Sequence, residues 1–179
     1  GNPQPVIAHK GRMGDNLFTE CIIALNPDTG KMKWYFQSSP HDTHDWDANQ
    51  TPVLFDAVVN KGQRGRPRKL IAQANRNAFY YVLDRTTGEF LRGTPYIKQT
   101  WASGLDAKGR PLKLPNIEPS IEGTMGIKPL WPGLPGATNW YSPAYSPQTK
   151  LFYVLARENH PQYFFKATAS YHAGDLFEG

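Results

Sequence analysis

Short apolar segments separated by closely spaced turns constrain this chain more than any other feature of its sequence. Six segments of strand-like composition, rich in aromatic and β-branched residues, recur along it: TECIIALN, KMKWYFQ, TPVLFDAVV, KLIAQAN, AFYYVLD and LFYVLAR. Glycine and proline each occur 16 times in 179 residues, and both residues interrupt regular structure and favour turns. Because few long helices fit between such turns, the sequence predicts an all-β protein.

Two of these turns have closely similar sequences, ALNPDTGKMKW and VLDRTTGEFL. Asn26 and Asp84 suit the start of a hairpin turn, and Gly30 and Gly88 suit its left-handed position. A third, weaker copy, YSPQTKLFYVLA, has Lys150 in place of the glycine. The copies recur roughly every sixty residues, which is somewhat longer than the usual period of a four-stranded propeller blade. The sequence therefore predicts radially repeated antiparallel sheets that carry insertions.

The strand pattern is lost between Thr94 and Gly136. The segment LPNIEPSIEGTMGIKPLWPGLPG is rich in proline and glycine and has no clear period. A loop of that length is either functional or an excursion that packs on another part of the fold.

The basic segment RGRPRK, residues 64–69, has the composition of a hook that inserts arginines into the minor groove of A·T-rich DNA. It lies between two strand-like segments, where a hairpin loop is needed, and no basic tail surrounds it, so a solvated loop is favoured. The formal net charge of +5 is only a weak indication of acidic partners. We expect no nucleic-acid partner and, because no long apolar run is present, no membrane span.

The densest group of titratable side chains is the segment PHDTHDWDAN. If it is extended, Asp45 and Asp47 project from one face and Trp46 from the other. Two neighbouring carboxylates repel each other unless a shared proton, an arginine or a metal ion neutralises them. A hard cation prefers such oxygen ligands, but an Asp-rich turn that caps its own backbone explains the same residues equally well. His41 and His44 are better explained as hydrogen-bonded histidines near a turn than as metal ligands.

Several segments, in the same order along the chain, resemble the pyrroloquinoline quinone (PQQ)-dependent alcohol dehydrogenases, the family of methanol and ethanol dehydrogenases. They are GNPQP, GDNLFTECIIALNPDTGKMKWYFQSSPHDTHDWDAN, QANRNAFYYVLDRTTGEF, KQTWASGLDAKGRP and GATNWYSPAYSPQTKLFYV. The resemblance runs from Gly1 to about Val154. It implies an eight-bladed β-propeller with PQQ near its axis.

By the same resemblance, residues 1–179 form a partial propeller domain that is incomplete at both ends. This part corresponds to about three blades of antiparallel sheet with long loops, roughly the middle third of such an enzyme. The turn motif that ends at Trp34 is similar to the family's tryptophan-docking motif, which joins adjacent blades. Leu91 stands near the place of the corresponding tryptophan in the second copy, so docking there is expected to be degenerate.

The resemblance also implies roles for single residues. Asn2 and Asp45 match metal ligands, and Asp45 in addition matches the catalytic base. Asp47 matches the extra aspartate of the lanthanide-dependent members, where calcium-dependent methanol dehydrogenases have alanine. Arg76 matches the basic residue that hydrogen-bonds the quinone oxygens of PQQ.

Asn139 and Trp140, in TNW, match a segment that reaches the cofactor. The implied cofactors are PQQ and a lanthanide ion, with Ca²⁺ as the alternative, since a trivalent cation tolerates one more carboxylate than a divalent one. The implied reaction oxidises a primary alcohol to an aldehyde by hydride transfer to metal-activated PQQ. Asp45 takes the hydroxyl proton, and Arg76 stabilises charge on the quinone oxygens.

The implied partners are a small alcohol, a cytochrome c-type electron acceptor and the rest of the propeller chain. The implied location is the periplasm, and a homodimer is compatible with the family. We expect the 179-residue chain to be inactive alone, because it lacks the family's glutamate ligand, vicinal cysteine pair and stacking tryptophan. The alternative is a non-catalytic β-propeller scaffold, which has no need of Asn2, Asp45, Asp47 and Arg76 together.

Overall fold

The computed structural model describes residues 1–7, 9–59, 67–115, 117–119, 129–163 and 170–176, which form an all-β structure. The strands are β1 (Cys21–Leu25), β2 (Met32–Gln37), β3 (Val53–Val58), β4 (Pro67–Ala74), β5 (Phe79–Asp84), β6 (Phe90–Pro95), β7 (Ala102–Leu105), β8 (Pro111–Lys113), β9 (Ala144–Ser146) and β10 (Leu151–Tyr153). The one helical element in these ranges is a 3₁₀ turn, His9–Gly11. None of the described helical structure is long and apolar enough to cross a membrane.

A four-stranded antiparallel sheet in the order β3–β4–β5–β6 forms the largest unit of the described structure. This order, with each strand beside its neighbour in sequence, is that of a propeller blade. Antiparallel hairpins β1–β2, β7–β8 and β9–β10 accompany it. The predicted all-β class is confirmed, and all six strand-like segments lie on strands.

The hairpin turns adopt the geometry that their sequences predict. Gly30 and Gly88 have φ of 67° and 78°, and Lys150 has the same left-handed conformation with φ of 58°. The N–H of Gly30 donates to the carbonyl of Asn26 at 2.9 Å, and that of Gly88 to the carbonyl of Asp84 at 2.8 Å. The turns that begin at Asn26 and Asp84 are therefore closed by their own backbone and by the side chain of that Asx residue.

Trp34 joins the β1–β2 hairpin to the neighbouring sheet. Its Nε1–H donates to the carbonyl oxygen of Arg85 at 3.2 Å, in the turn between β5 and β6. A Cβ at Gly88 would lie 2.8 Å from the Trp34 ring, so the ring packs where that turn has no side chain. This contact is the docking expected of the motif that ends at Trp34.

The β7–β8 hairpin lies between Thr94 and Gly136, where the sequence shows no strand pattern, so the predicted loss of pattern is wrong for residues 102–113. Its turn repeats the same chemistry: Asp106 Oδ1 accepts the N–H groups of Lys108 and Arg110, both at 2.8 Å, and Gly109 has φ of 84°. The strands have only four and three residues, too few for the alternation that reveals a strand.

The basic segment RGRPRK is only partly within the described residues, since 64–66 fall outside them. Pro67 begins β4 and pairs with Val58 of β3, as a hairpin between the two strands requires. Arg68 donates to Asp84 at 3.0 Å and also pairs with Glu89, so its charge is neutralised by nearby carboxylates.

An aromatic core lies between the four-stranded sheet and the loops beside it. Trp46 and Trp101 are both 1% exposed, and their ring centroids are 4.8 Å apart. Both rings belong to one buried cluster, whose members are Phe36, Trp46, Ile71, Phe79, Tyr81, Leu83, Trp101, Ala102, Ile117 and Leu130. The loop that contains Trp46 is therefore fixed to the core of the molecule.

Candidate functional site

The acidic segment after β2 is a loop and not the extended strand that the same-face argument assumed. Asp42 sets its shape: Oδ1 accepts the N–H of His44 at 3.1 Å, and Oδ2 accepts the N–H of Trp46 at 2.9 Å. Asp45 has a left-handed backbone with φ of 59°, which costs about 1 kcal/mol for a non-glycine residue. The backbone-capping interpretation therefore holds for Asp42, and the other two aspartates are left to point elsewhere.

The residues between the aspartates point into the core. Trp46 is buried, and its Nε1–H donates to the carbonyl of Gly133 at 3.2 Å. His44 stacks on it with a centroid distance of 4.4 Å, and His44 Nε2 lies 3.0 Å from the carbonyl oxygen of Ile117. His41 Nδ1 lies 2.8 Å from the carbonyl oxygen of Gly14. Both histidines thus have backbone partners near a turn, as the sequence suggested.

Asp45 and Asp47 converge on Arg76. Arg76 Nη1 lies 2.9 Å from Asp47 Oδ2, and Nη2 lies 3.6 Å from Asp45 Oδ2. The guanidinium side chain is 7% exposed, whereas the side chains of Asp45 and Asp47 are 33% and 24% exposed. An arginine is one of the three groups that could neutralise the pair. With two carboxylates and one guanidinium, the three residues carry one net negative charge.

Arg76 occupies the tight turn between β4 and β5. Its Nη2–H donates to the carbonyl oxygen of Leu134 at 2.6 Å, and a Cβ at Gly136 would lie 2.7 Å from Arg76 Cβ. Its Nε is buried and has no hydrogen-bond partner among the described residues. A buried cationic donor without an acceptor is costly, so this atom marks a place where an oxygen atom of a ligand fits.

Asn2 reaches the same carboxylates through its main chain. Its backbone N–H donates to Asp47 Oδ1 at 2.8 Å. Its side-chain Nδ2 is buried without a partner in the part of the chain that the structure describes. A 180° rotation of the amide exchanges its nitrogen and oxygen at little steric cost, which would present Oδ1 at that position.

The other two predicted cofactor contacts are Asn139 and Trp140. Asn139 Oδ1 accepts a hydrogen bond from Asn49 Nδ2 at 3.3 Å, which joins it to the end of the acidic loop. Trp140 is 76% exposed.

A buried glutamate that the sequence did not single out lies behind the acidic loop. Glu20 is 1% exposed, and its carboxyl oxygens make no hydrogen bond of normal geometry among the described residues, although the backbone N–H of Ala48 lies near the group. Burial, together with the charges of Asp42 and Asp47, raises the pKa of Glu20 to about 9. Burial likewise raises the pKa of Asp42 to about 6, against the effect of its two backbone donors. A single glutamate before a strand carries no sequence signal that would have revealed this position.

The donors at this site suit a hard cation but do not enclose one. Asp45, Asp47 and a rotated Asn2 amide offer oxygen atoms, the type of ligand that such cations prefer. No group of three or more His, Cys, Asp or Glu side chains able to hold a metal ion occurs within the described ranges. These residues therefore fit one side of an oxygen-rich metal site, and the unpaired Arg76 Nε–H fits an anionic or quinone oxygen beside it.

The blade-like sheet and its docked tryptophan define the chain as part of a β-propeller protein. A family model described as the β-propeller domain of PQQ-dependent glucose, ethanol and alcohol dehydrogenases matches residues 1–96, just over half of the chain. The chain belongs to this family.

Curated relatives agree with this assignment. The quinoprotein alcohol dehydrogenase PedH of Pseudomonas putida is 44% identical over 162 residues, which are 88% of this chain and 26% of that protein. The quinohemoprotein alcohol dehydrogenase of Comamonas testosteroni is 40% identical over 160 residues, 88% of this chain and 21% of that protein. The chain thus spans about a fifth to a quarter of these relatives, less than the third expected.

Solved structures support the same family assignment. The crystal structure of the Comamonas testosteroni quinohemoprotein alcohol dehydrogenase superposes with a TM-score of 0.76 at 38% identity, covering 90% of this chain and 23% of that one. A europium-containing methanol dehydrogenase superposes with a TM-score of 0.70 at 33% identity, covering 79% of this chain and 24% of that one.

Proposed function

We propose that this chain is the part of a PQQ- and metal-dependent dehydrogenase that supplies the base, two carboxylate ligands and the arginine for oxidation of primary alcohols to aldehydes. The observation that carries the proposal is the convergence of Asp45 and Asp47 on Arg76, whose buried Nε–H has no partner among the described residues. A scaffold protein has no need of such a donor, so the catalytic function is preferred to the non-catalytic one.

Asp45 is the proposed base. Its side chain is the more exposed of the two carboxylates, at 33%, so a small alcohol can approach it from solvent. Its carboxylate accepts the hydroxyl proton of the alcohol while the hydride leaves the carbinol carbon. When bound, PQQ supplies the hydride acceptor and the metal ion supplies Lewis acidity.

Arg76 is the proposed cofactor-binding residue. Nη1 and Nη2 bond Asp47 and Leu134, whereas the buried Nε–H has no partner among the described residues, so we assign it to a quinone oxygen. A charge-assisted hydrogen bond of this kind stabilises negative charge that develops in the reaction. Asn139 and Trp140 belong to the same proposal as neighbouring cofactor contacts.

Asn2, Asp45 and Asp47 are the proposed metal ligands, and Asp47 favours a lanthanide over Ca²⁺. The charge is the reason: the three charged side chains at the site leave one net negative charge, and a second carboxylate ligand stabilises a trivalent ion more than a divalent one. A europium-containing methanol dehydrogenase among the similar structures supports this choice.

Replacing Asp47 by alanine in the complete enzyme tests the choice of metal. We expect lanthanide-dependent activity to fall at least tenfold more than Ca²⁺-dependent activity, since one charged ligand is worth more than about 1.4 kcal/mol to the trivalent ion. An Asp45→Asn variant should lose activity with both metals. Equal loss with the two metals in Asp47→Ala would refute the selective role of Asp47.

The remaining parts of the proposal concern the whole enzyme. A cytochrome c-type electron acceptor is supported by a relative named 1-butanol dehydrogenase (cytochrome c) from Thauera butanivorans, 40% identical over 144 residues. A periplasmic location and a homodimer belong to the same proposal. Reduction of a c-type cytochrome by the purified enzyme, cell fractionation and the mass of the native particle test these three points.

A further inference from the structure

Two asparagine amides hold the turn that carries Arg76. Asn75 Oδ1 accepts the backbone N–H of Asn77 at 3.0 Å, so its side chain spans Arg76. Asn77 Oδ1 in turn accepts the backbone N–H of Phe79 at 3.0 Å. Consecutive bonds of this kind fix the backbone on both sides of the arginine.

Asn77 attaches this turn to the core. It is fully buried at 0% exposure. The two N–H groups of its Nδ2 are shared among Ser38 O at 3.0 Å, Ser39 Oγ at 3.1 Å and Tyr81 Oη at 3.0 Å. Its own carbonyl accepts the Nε1–H of Trp101 at 2.9 Å. One asparagine therefore connects the arginine turn to the two residues that follow β2, to β5 and to the residue before β7.

The turn needs this support because its backbone is strained. Ala78 has φ of 77°, a conformation that costs a non-glycine residue about 1 kcal/mol. Such residues persist where the surrounding contacts determine them, and they are common at functional sites. If Asn77 lost its bonds, the turn would relax and the direction of the Arg76 side chain would change with it.

We propose that Asn77 is a positioning residue, which fixes the turn so that the Arg76 guanidinium faces Asp45, Asp47 and the bound cofactor. The Asn77 side chain bonds Ser38, Ser39, Phe79 and Tyr81, so it acts on the site through the turn that carries Arg76. This inference rests on the function proposed for Arg76. It predicts that the effect of Asn77 on the site disappears when Arg76 is absent.

A double-mutant cycle in the complete enzyme tests this. Asn77→Ala, Arg76→Ala and the double variant are compared by the Kd of PQQ, followed by quenching of tryptophan fluorescence, by kcat and by thermal unfolding. We expect Asn77→Ala to raise the Kd about tenfold, the worth of one charge-assisted hydrogen bond, and to lower kcat. In the Arg76→Ala background the same change should add nothing.

Tyr81→Phe is the matched control. The Tyr81 hydroxyl donates to Ser38 O at 3.2 Å and accepts from Asn77, so its removal disturbs the same buried cluster but leaves the Asn77–Phe79 bond. It should lower the unfolding temperature without changing the Kd. Asn77→Ser keeps a weaker acceptor for the Phe79 amide and should show an intermediate Kd, which keeps the test usable if Asn77→Ala does not fold.

The outcomes distinguish the positioning role of Asn77 from the cofactor-binding role of Arg76. Additive losses in the double variant, or an Asn77→Ser enzyme with reduced stability but an unchanged Kd and kcat, would overturn the positioning role alone. An Arg76→Ala enzyme with an unchanged Kd and kcat would overturn the role of Arg76 and the positioning role with it.

Discussion

Replacing Glu20 by glutamine should stabilise the metal-free protein, and more so as the pH rises. Glu20 is 1% exposed, and its carboxyl oxygens make no hydrogen bond of normal geometry among the described residues, so the weak contact with the Ala48 N–H only partly offsets burial. Its neighbours Asp42 and Asp47 are also acidic. Glutamine has nearly the same shape but no charge, so the change removes the charge and leaves the packing intact.

The sign follows from the direction of the pKa shift. The pKa of Glu20 rises from its ordinary value of 4.5 to about 9 in the folded protein. Between these values the folded state holds a proton that the unfolded state has released, so the free energy of unfolding falls as the pH rises. The stability that Glu20 contributes is fully present below about pH 4.5 and is lost as the pH rises through about 9.

The size of the destabilisation depends on the difference between the pH and the pKa of Glu20 in the unfolded state. Each pH unit above the unfolded pKa lowers the free energy of unfolding by about 1.36 kcal/mol. The three pH units from 4.5 to about 7.5 therefore correspond to roughly 4 kcal/mol at most. Relaxation of the buried site reduces this value. We therefore expect Glu20→Gln to gain about 2 to 4 kcal/mol at about pH 8 and about 1 kcal/mol at about pH 5.5.

Urea unfolding of the metal-free wild type and the variant at the two pH values measures the effect. Glu158→Gln is the control, because Glu158 is exposed and the same loss of charge there relieves no burial. Infrared spectroscopy at neutral pH should show a protonated carboxyl band in the wild type that the variant lacks. Parallel pH dependences in Glu20→Gln and the wild type would refute the reasoning.

Two further substitutions test the parts of the fold that support the site. Gly88→Ala places a Cβ 2.8 Å from the Trp34 ring at a φ of 78°, so it should destabilise the protein by about 1 to 3 kcal/mol; an unchanged thermal midpoint would show that docking of Trp34 contributes nothing. Asp42→Ala leaves the buried N–H groups of His44 and Trp46 without their acceptor, so it should cost about 2 to 4 kcal/mol and weaken binding of terbium, measured by its luminescence. Full terbium affinity with the loss of stability would show that Asp42 does not shape the metal ligands.

The hairpin turns could be predicted because each one is determined by residues that are adjacent in sequence. Asn26 and Gly30 close their turn through bonds within it, and no distant residue is needed. Lys150 shows the same rule, since it takes the left-handed conformation in place of glycine. The β7–β8 hairpin carried the same local signal in Asp106 and Gly109, but its strands were too short for their pattern to be recognised.

The acidic loop could be predicted only in part. Its three aspartates look equivalent in sequence, yet Asp42 caps the backbone whereas Asp45 and Asp47 face Arg76. The difference depends on the left-handed backbone at Asp45 and on where the β4–β5 turn places the arginine. Neither property can be read from the spacing of the aspartates. The sequence correctly predicts that Asp45 and Asp47 face the same way, but the cause is the shape of the loop and not an extended strand.

The segment without a pattern, between Thr94 and Gly136, provides much of the support for the site. Carbonyl oxygens of this segment accept hydrogen bonds from His44 at 3.0 Å, from Trp46 at 3.2 Å and from Arg76 at 2.6 Å. Every residue type has a carbonyl group, so these acceptors leave no signature in the sequence. The excursion thus packs on the acidic loop and the arginine turn, and this explains why a segment with no period can be essential to a site whose side chains all come from elsewhere. Its sequence is constrained where a side chain would intrude, as at Gly136, where a Cβ would lie 2.7 Å from that of Arg76.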